Sequence, residues 1–459
     1  MTLESPLFNP TYRRLFAAQV SALIGTGLTT VALALLAYDL AGGDAGAVLG
    51  TALALKMVAY VGIAPAVGGF AHRLPRRRLL IALDIARAGS VACLPFVTEV
   101  WQIYLLIFLM NSFSAGFTPT FQATIPDILP DEAQYTRALS LSRLAYDLEN
   151  LLSPTLAAAA LLVMTYDTLF AANAVAFVGS ALLVWSVRLP SPKPSEREHG
   201  LWHNLTFGIR VYVGTPRLRA LLALSVAVAS AGAMVIVNTV VYVRDHLGGT
   251  DSDTAVAFAA AGAGSMIVAL LLPRALEQLS DRFVMLCGGL VLGSGLLLGL
   301  TGPGLLALLP IWFVLGAGSS LIQTPAARLL RRSAQEGDRP AVYAAQFALS
   351  HACWLIAYPL AGWLGGSFGL AAAFAALAVI ALASTAAAFA LWPAGDPGEL
   401  EHWHSALEHE HLHVHDEHHR HDHEGWEGPA PHHHPHRHAS LKHRHLYVID
   451  LHHPLWPSR

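Results

Sequence analysis

Charge is scarce in this chain: only 13% of its 459 residues are Asp, Glu, Lys or Arg, against about 25% in an average soluble protein. With 54% apolar residues, 38 glycines and a mean hydropathy of +0.49, that shortage argues against a set of soluble domains. Cysteine is scarcer still. Cys93, Cys287 and Cys353 lie far apart in apolar stretches, which excludes a disulfide framework and any thiolate metal site of CxxC spacing. No basic tract marks a nucleic-acid partner. No Walker loop, nucleophile elbow or kinase signature is present, so an enzyme is not expected. The first residues (Thr2, Glu4, Ser5, Pro6) lack the basic, apolar and small-residue order of a cleaved signal peptide, so the first apolar run is expected to be a retained span.

Long apolar runs are what the chain has in abundance. A bilayer-crossing helix needs about 20 mainly apolar residues. Twelve such runs stand at about 15–39, 47–71, 79–98, 101–122, 139–164, 168–188, 218–243, 254–273, 284–302, 304–325, 341–366 and 368–392. The expected fold is therefore an all-α polytopic membrane protein of twelve transmembrane helices. Residues 1–188 and 218–393 form two six-helix halves, joined by a Pro- and charge-rich linker over 189–217. Gln122, Pro126, Arg137 and Pro154 have counterparts about 200 residues later in Gln323, Pro325, Arg339 and Pro359, which reads as a repeat of the kind secondary transporters use. With twelve spans, twenty basic residues fall on the connections of one side and Arg244 alone on the other. The positive-inside rule then places both termini in the cytoplasm, in a multi-pass protein of a bacterial cytoplasmic (inner) membrane.

An ionisable residue inside a span is costly and faces a cavity or a partner. Asp147 and Glu149 lie in the fifth span, with Arg143 one turn before Asp147. Two residues apart on a helix, the acids point about 200° from one another, so one can face a central cavity while the other pairs. His351 lies in the eleventh span, the repeat mate of the fifth. Asp84 and Arg87, at i,i+3 in the third span, read most simply as an ion pair but are kept as transport candidates. Lys56 in the second span opposes a cation path unless it pairs or gates.

Residues 394–459 are a different polymer. They hold 19 of the 24 histidines and carry a net charge of −6. The candidate ligands are His402, His404, His409, His411, His413, His415, His418, His419, His421 and His423, then His432, His433, His434, His436 and His438. Imidazole suits nickel, zinc, cobalt and copper(II), and interleaved acids such as Glu408, Glu410, Asp416 and Asp422 add oxygen donors. The segment has too little apolar surface to offset its ordering entropy, so it is expected to be disordered and to bind Ni, Co or Zn ions. Alternate histidines over 409–415 share one face if the chain is extended. Imidazole, with an ordinary pKa of about 6.5, must lose its proton to bind metal, so acid is expected to weaken uptake.

Between the second and third spans stand Gly68, Arg73, Arg76 and Arg77 in the run Gly-Gly-Phe-Ala-His-Arg-Leu-Pro-Arg-Arg-Arg. There the chain resembles the major facilitator superfamily, whose loop reads Gly-x-x-x-Asp-Arg-x-Gly-Arg-Arg and latches the two halves. His72 stands where that pattern has aspartate and Pro75 where it has glycine, so a neighbouring acid such as Asp84 would have to supply the latch. The opening Asn9-Pro10-Thr11-Tyr12-Arg13-Arg14-Leu15-Phe16, the twelve-span core and the histidine-rich tail together resemble the NreB-type nickel-resistance permeases. That resemblance implies export of a divalent cation, nickel or cobalt, from the cytoplasm by proton exchange, from a monomer with no resident cofactor. Its partners are then the metal ion, protons and the lipid bilayer. Two other readings stand beside it: a drug or siderophore exporter whose tail binds metal incidentally, and a membrane-tethered metal buffer or sensor.

Overall fold

A computed structural model describes residues 5–41, 45–71, 74–190, 201–395, 399–404, 407–413, 432–438, 441–449 and 456. The first half comprises α1 (Pro10–Ala41), α2 (Ala45–Ala71), α3 (Arg76–Ala92), α4 (Val100–Ile128), α5 (Glu132–Leu161) and α6 (Tyr166–Trp185). A shorter helix, α7 (Leu201–Gly214), leads into the second half. That half comprises α8 (Pro216–Val241), α9 (Asp251–Ala275), α10 (Asp281–Gly299), α11 (Leu305–Arg332), α12 (Arg339–Phe368) and α13 (Leu370–Leu391).

Eleven of these helices are long and apolar enough to cross a membrane among the described residues, against the twelve expected. The exception is α5, whose 30 residues give about 45 Å of length but whose apolar stretch is interrupted by Arg143, Asp147 and Glu149. Those same charges mark it as a helix facing its neighbours rather than lipid. Prolines do not end the helices: α12 runs through Pro359 and α4 through Pro119 and Pro126. In a helix bundle, neighbouring helices and side chains re-satisfy the carbonyls that proline frees.

The halves repeat one another in packing. In the first, α1 lies against α6, α2 against α4, and α3 against both α4 and α6; in the second, α8 lies against α13, α9 against α11, and α10 against both α11 and α13. The contacts between halves keep the same symmetry, with α2 on α12 and α5 on α9. At the α2–α12 contact the residues are small. Ala64, Ala115, Ala344 and Ala348 form one buried cluster, and Gly68 approaches so closely that a Cβ there would collide with the Ala344 methyl and lie 3.2 Å from the Pro340 carbonyl oxygen. Small residues are what let membrane helices approach backbone to backbone.

One expectation changes. The stretch 189–217, read as linker, contains the helix α7, because Phe207 and Val211 recur one turn apart and bury with Tyr212 against the second half. Within the tail, the described residues include β1 (Glu399–His404), β2 (Leu407–His413), β3 (His432–His438) and β4 (Leu441–Leu446). β1 pairs antiparallel with β4 and β2 with β3. Alternating residues suit an extended chain, and antiparallel pairing satisfies the backbone groups.

Candidate functional site

Three layers of polar residues join the halves, from the middle of the helices to the arginine-rich end. The middle layer is built by α2, α5 and α12. Tyr60 on α2 packs against Phe347 and edge-on against His351, both on α12, with ring centroids 4.8 Å apart in each case. Phe347 and His351 lie one turn apart and their rings stand 4.2 Å from one another. The Nδ1 of His351 is 2.7 Å from the Phe347 carbonyl oxygen. A carbonyl only accepts, so Nδ1 carries the proton and Nε2 remains as the ring's acceptor.

Lys56, one turn from Tyr60, holds its ammonium 5.7 Å from the Tyr60 ring centroid. Its charge acts on both Glu149 and His351. Among the described residues Glu149 has no hydrogen bond and no ion pair within 4.0 Å, and it is half-buried, as are Lys56 and His351. On α2 and α12 an ammonium and an imidazole thus stand among aromatic rings, while α5 contributes the half-buried Glu149 carboxyl, which feels the Lys56 charge.

The second layer is closed. Arg143 pairs with Asp147 at 2.8 Å, and Ser265 of α9 donates to Asp147 at 2.6 Å. Arg143 also donates to Ser265 at 3.0 Å and to Gln323 of α11 at 3.0 Å. Of the two span-5 acids, Asp147 is therefore the one that pairs across the halves, and Glu149 the one left for the middle layer.

The third layer closes the arginine-rich end. Asp127, at the end of α4, takes ion pairs from Arg76 of α3 and from Arg339 of α12, and Arg76 donates in addition to the Glu336 carbonyl oxygen at 3.1 Å. Arg328 of α11 reaches Glu132 at 2.7 Å, Thr136 at 2.9 Å and Asp281 at 3.2 Å. The hydroxyls of Tyr135 and Tyr343 meet at 2.8 Å, one from each half.

The loop motif thus supplies a latch, but with Asp127 rather than Asp84 as its acid. Asp84 is committed elsewhere. It is fully buried, paired with Arg87, and accepts from Ser180 at 2.8 Å. Arg87 lies between the faces of Phe117 and Phe177, 3.9 and 4.4 Å from their centroids. The pair, its serine and the two rings that flank it all belong to the first half. Of the other motif residues, Arg77 donates to the Trp185 carbonyl, Gly68 lines the α2–α12 contact, and Arg73 lies outside the described residues.

Sequence reasoning passed over Asp127 and Tyr60, and read Arg339 only as a repeat position and Lys56 only as a charge opposing a cation path. The repeat offered a signal for Asp127 and Arg339, since Asp127 directly follows Pro126 and Arg339 is the repeat mate of Arg137. Among the described residues no group of three or more His, Cys, Asp or Glu side chains is placed to hold a metal ion. Of the tail histidines, 402, 404, 409, 411, 413, 432, 433, 434, 436 and 438 lie on β1, β2 and β3, whereas His415, His418, His419, His421 and His423 lie outside the described residues.

The family model of the Major Facilitator Superfamily matches residues 15–235 and 222–414. The uncharacterized MFS-type transporter YfiS of Bacillus subtilis (strain 168) is 23% identical over 338 residues, covering 70% of this chain and 79% of that protein. Macrolide efflux protein A of Streptococcus pyogenes is 28% identical over 181 residues, 38% of this chain and 44% of that protein. Among solved structures, the human organic anion transporter MFSD10 (TETRAN) superimposes with a TM-score of 0.74 at 12% identity, over 85% of this chain and 100% of that one. FucP, a Major Facilitator Superfamily transporter in the outward conformation, gives 0.65 at 12% identity over 83% and 98%. At such identities the structural likeness concerns the fold.

Proposed function

This chain belongs to the Major Facilitator Superfamily, and from that premise we propose that it exports a divalent transition-metal cation, nickel or cobalt, from the bacterial cytoplasm in exchange for protons. The observation that carries the reading is the segment of 19 histidines and 11 acids over 394–459, joined directly to α13 at the end where Arg282 meets Trp392. On the positive-inside orientation that end is cytoplasmic, so the segment collects metal where an exporter would load it and confers resistance to it. In that orientation the latch around Asp127 holds the cytoplasmic mouth shut.

The middle layer supports the exchange chemistry. Three cations compete for the Glu149 carboxylate: the Lys56 ammonium, a proton and an arriving metal ion. A carboxylate that holds only one of them at a time releases protons when metal binds and metal when protons return, which is the requirement for antiport. His351, through Nε2, supplies a second donor from the opposite half. A site of two protein donors binds weakly enough to let go.

A second reading is favoured by the aromatic walls of that layer (Tyr60, Phe347) and by the want of a three-donor cluster among the described residues. In it the substrate is an organic molecule, in keeping with the macrolide efflux protein among the relatives, and the tail buffers metal separately.

Inside-out membrane vesicles containing the full chain decide between them. With the lumen made acid, radioactive nickel is expected to accumulate, to stop when the gradient collapses, and to fall at least about tenfold in Glu149→Gln. Vesicles that contain the folded protein and take up no nickel overturn the metal reading in favour of the organic one.

A further inference from the structure

The far end of the chain comes back to the second half. Tyr447, Val448 and Ile449 are buried, and Ile449 and Trp456 pack with the core of that half. The surface that receives them lies where α7 gives way to α8. Gly214 ends α7 and leaves the space that Ile449 fills, since a Cβ there would stand 2.7 Å from the Ile449 Cδ1. In the first turn of α8, the buried Arg217 donates to the Tyr447 carbonyl at 3.4 Å. The Trp456 ring covers the guanidinium with its centroid 5.3 Å away, and Tyr447 stands edge-on to that ring at 5.1 Å. Apolar burial, a carbonyl acceptor and a cation–π contact together favour docking.

The same guanidinium holds the end of α11. Its Nε donates to the Ser333 hydroxyl at 2.8 Å, and the Nη2 that reaches Tyr447 also donates to the Arg332 carbonyl at 3.0 Å. The last carbonyls of a helix have no partner within it and must find one outside. Ser333 caps α11 and gives its own hydroxyl proton to the Leu329 carbonyl at 2.6 Å. Arg217 therefore completes that cap from a neighbouring helix. The turn so capped is the one that reaches the first half. Arg328 pairs there with Glu132, while Arg331 donates to the Pro130 carbonyl and lies 5.2 Å from the Tyr135 ring centroid. A capped turn keeps these arginines aimed, and a frayed one does not. Hydrogen bonds are stronger in a dry, low-dielectric site than in water, so the cover of Trp456 strengthens the hold of Arg217 on the turn.

We propose that the anchor formed by Tyr447, Val448, Ile449 and Trp456 is an intramolecular strap. Docked at Arg217, it stiffens the last turn of α11 and so favours the state in which the halves are closed at the arginine-rich end. Undocked, it releases that turn and favours opening. The coupling is reciprocal: docking that resists opening by a given factor is itself weakened by that factor when the end opens. The strap makes no demand on the substrate, so it holds whether a metal ion or an organic molecule is carried.

Amide hydrogen exchange of the full chain in detergent micelles tests the proposal. Tyr447→Ala with Trp456→Ala strips the cover from Arg217, whereas Gly214→Leu excludes Ile449 from the receiving side and leaves the tail unaltered. Faster exchange at 448 and 449 reports undocking in either variant, and unchanged exchange along α1 reports an intact fold. With the anchor undocked, exchange at 329–333 is expected to rise about fivefold. Exchange at 129–136, across the interface in the first half, is expected to rise by a similar factor. Undocking that frees 329–333 but leaves 129–136 as protected as in the unaltered chain reduces the strap to a local cap and overturns the proposal. Exchange at 448 and 449 that neither variant changes overturns it too, because the contacts at Arg217 and Gly214 then hold nothing in place. Neither result touches the export reading, which the nickel vesicles test separately.

Discussion

Two places in the molecule hold charge at depth, and they are built in opposite ways. Around Asp84 and Arg87 the charges have fixed partners: the acid has its arginine and a serine, and the guanidinium, although its Nε donates to nothing among the described residues, is sandwiched between two phenylalanine faces. Around Glu149, Lys56 and His351 the groups are half-buried, Lys56 acts on the other two only through its charge, and a carboxylate and a ring nitrogen stay unused. Desolvating a charge is costly, and the first place offsets the cost with fixed partners. The second keeps it as a capacity to exchange one cation for another. What separates structural from working charge here is a fixed ion-pair partner, not depth.

Four substitutions break or sharpen that contrast, in descending order of expected effect. Asp84→Asn strands the buried Arg87, and removing one partner of such a pair costs about 3–5 kcal/mol; the measurement is the unfolding temperature in detergent, and a stable variant would show the pair to be dispensable. Glu149→Gln is expected to leave unfolding within about 1 kcal/mol of the unaltered chain, because it strands no fixed partner. It is nevertheless expected to abolish gradient-driven transport, and if it unfolded the protein as Asp84→Asn does, the distinction would collapse. Asp127→Asn removes the acid shared by Arg76 and Arg339 and is expected to shift the halves apart at the arginine-rich end. Faster labelling of a cysteine placed at Ala344, against the same cysteine with Asp127 intact, reads that opening. Glu336→Gln, whose side chain is 67% exposed and 4.0 Å from Arg339, is expected to change stability by no more than about 0.5 kcal/mol, which sets the floor against which the other three are judged.

The same contrast marks how far the sequence could be read. The long helices were legible because apolar runs of bilayer length have few alternative uses, and the one helix short of apolar character, α5, was also legible as the bearer of Asp147 and Glu149. The pairing of those two acids was only half visible. Helical spacing said that they face apart; that Asp147 meets Ser265 and Arg143 meets Gln323 depends on contacts between halves that no local pattern encodes. Asp127 and Arg339 are 212 residues apart, and substitution of aspartate by His72 in the loop drew attention to Asp84, the nearest acid in sequence rather than in space. In the tail, the density of histidine obscured a shorter signal. Leu446-Tyr447-Val448-Ile449 is an apolar run in an otherwise polar segment, and such a run reads as an anchor once a receiving surface is known.

The methyl-lined contact of α2 with α12 has a mechanical consequence. Alanines and Gly68 present no hydrogen bonds to one another, so sliding across that patch ruptures nothing directional; it behaves as a lubricated bearing. Resistance to motion is then concentrated at the rim, in the few arginine–carboxylate bonds around Asp127 and Glu132. A larger residue in the bearing, such as Ala344→Leu, would act as a wedge that jams rotation without touching any charge, so that friction and locking, here assigned to different side chains, could be altered one at a time.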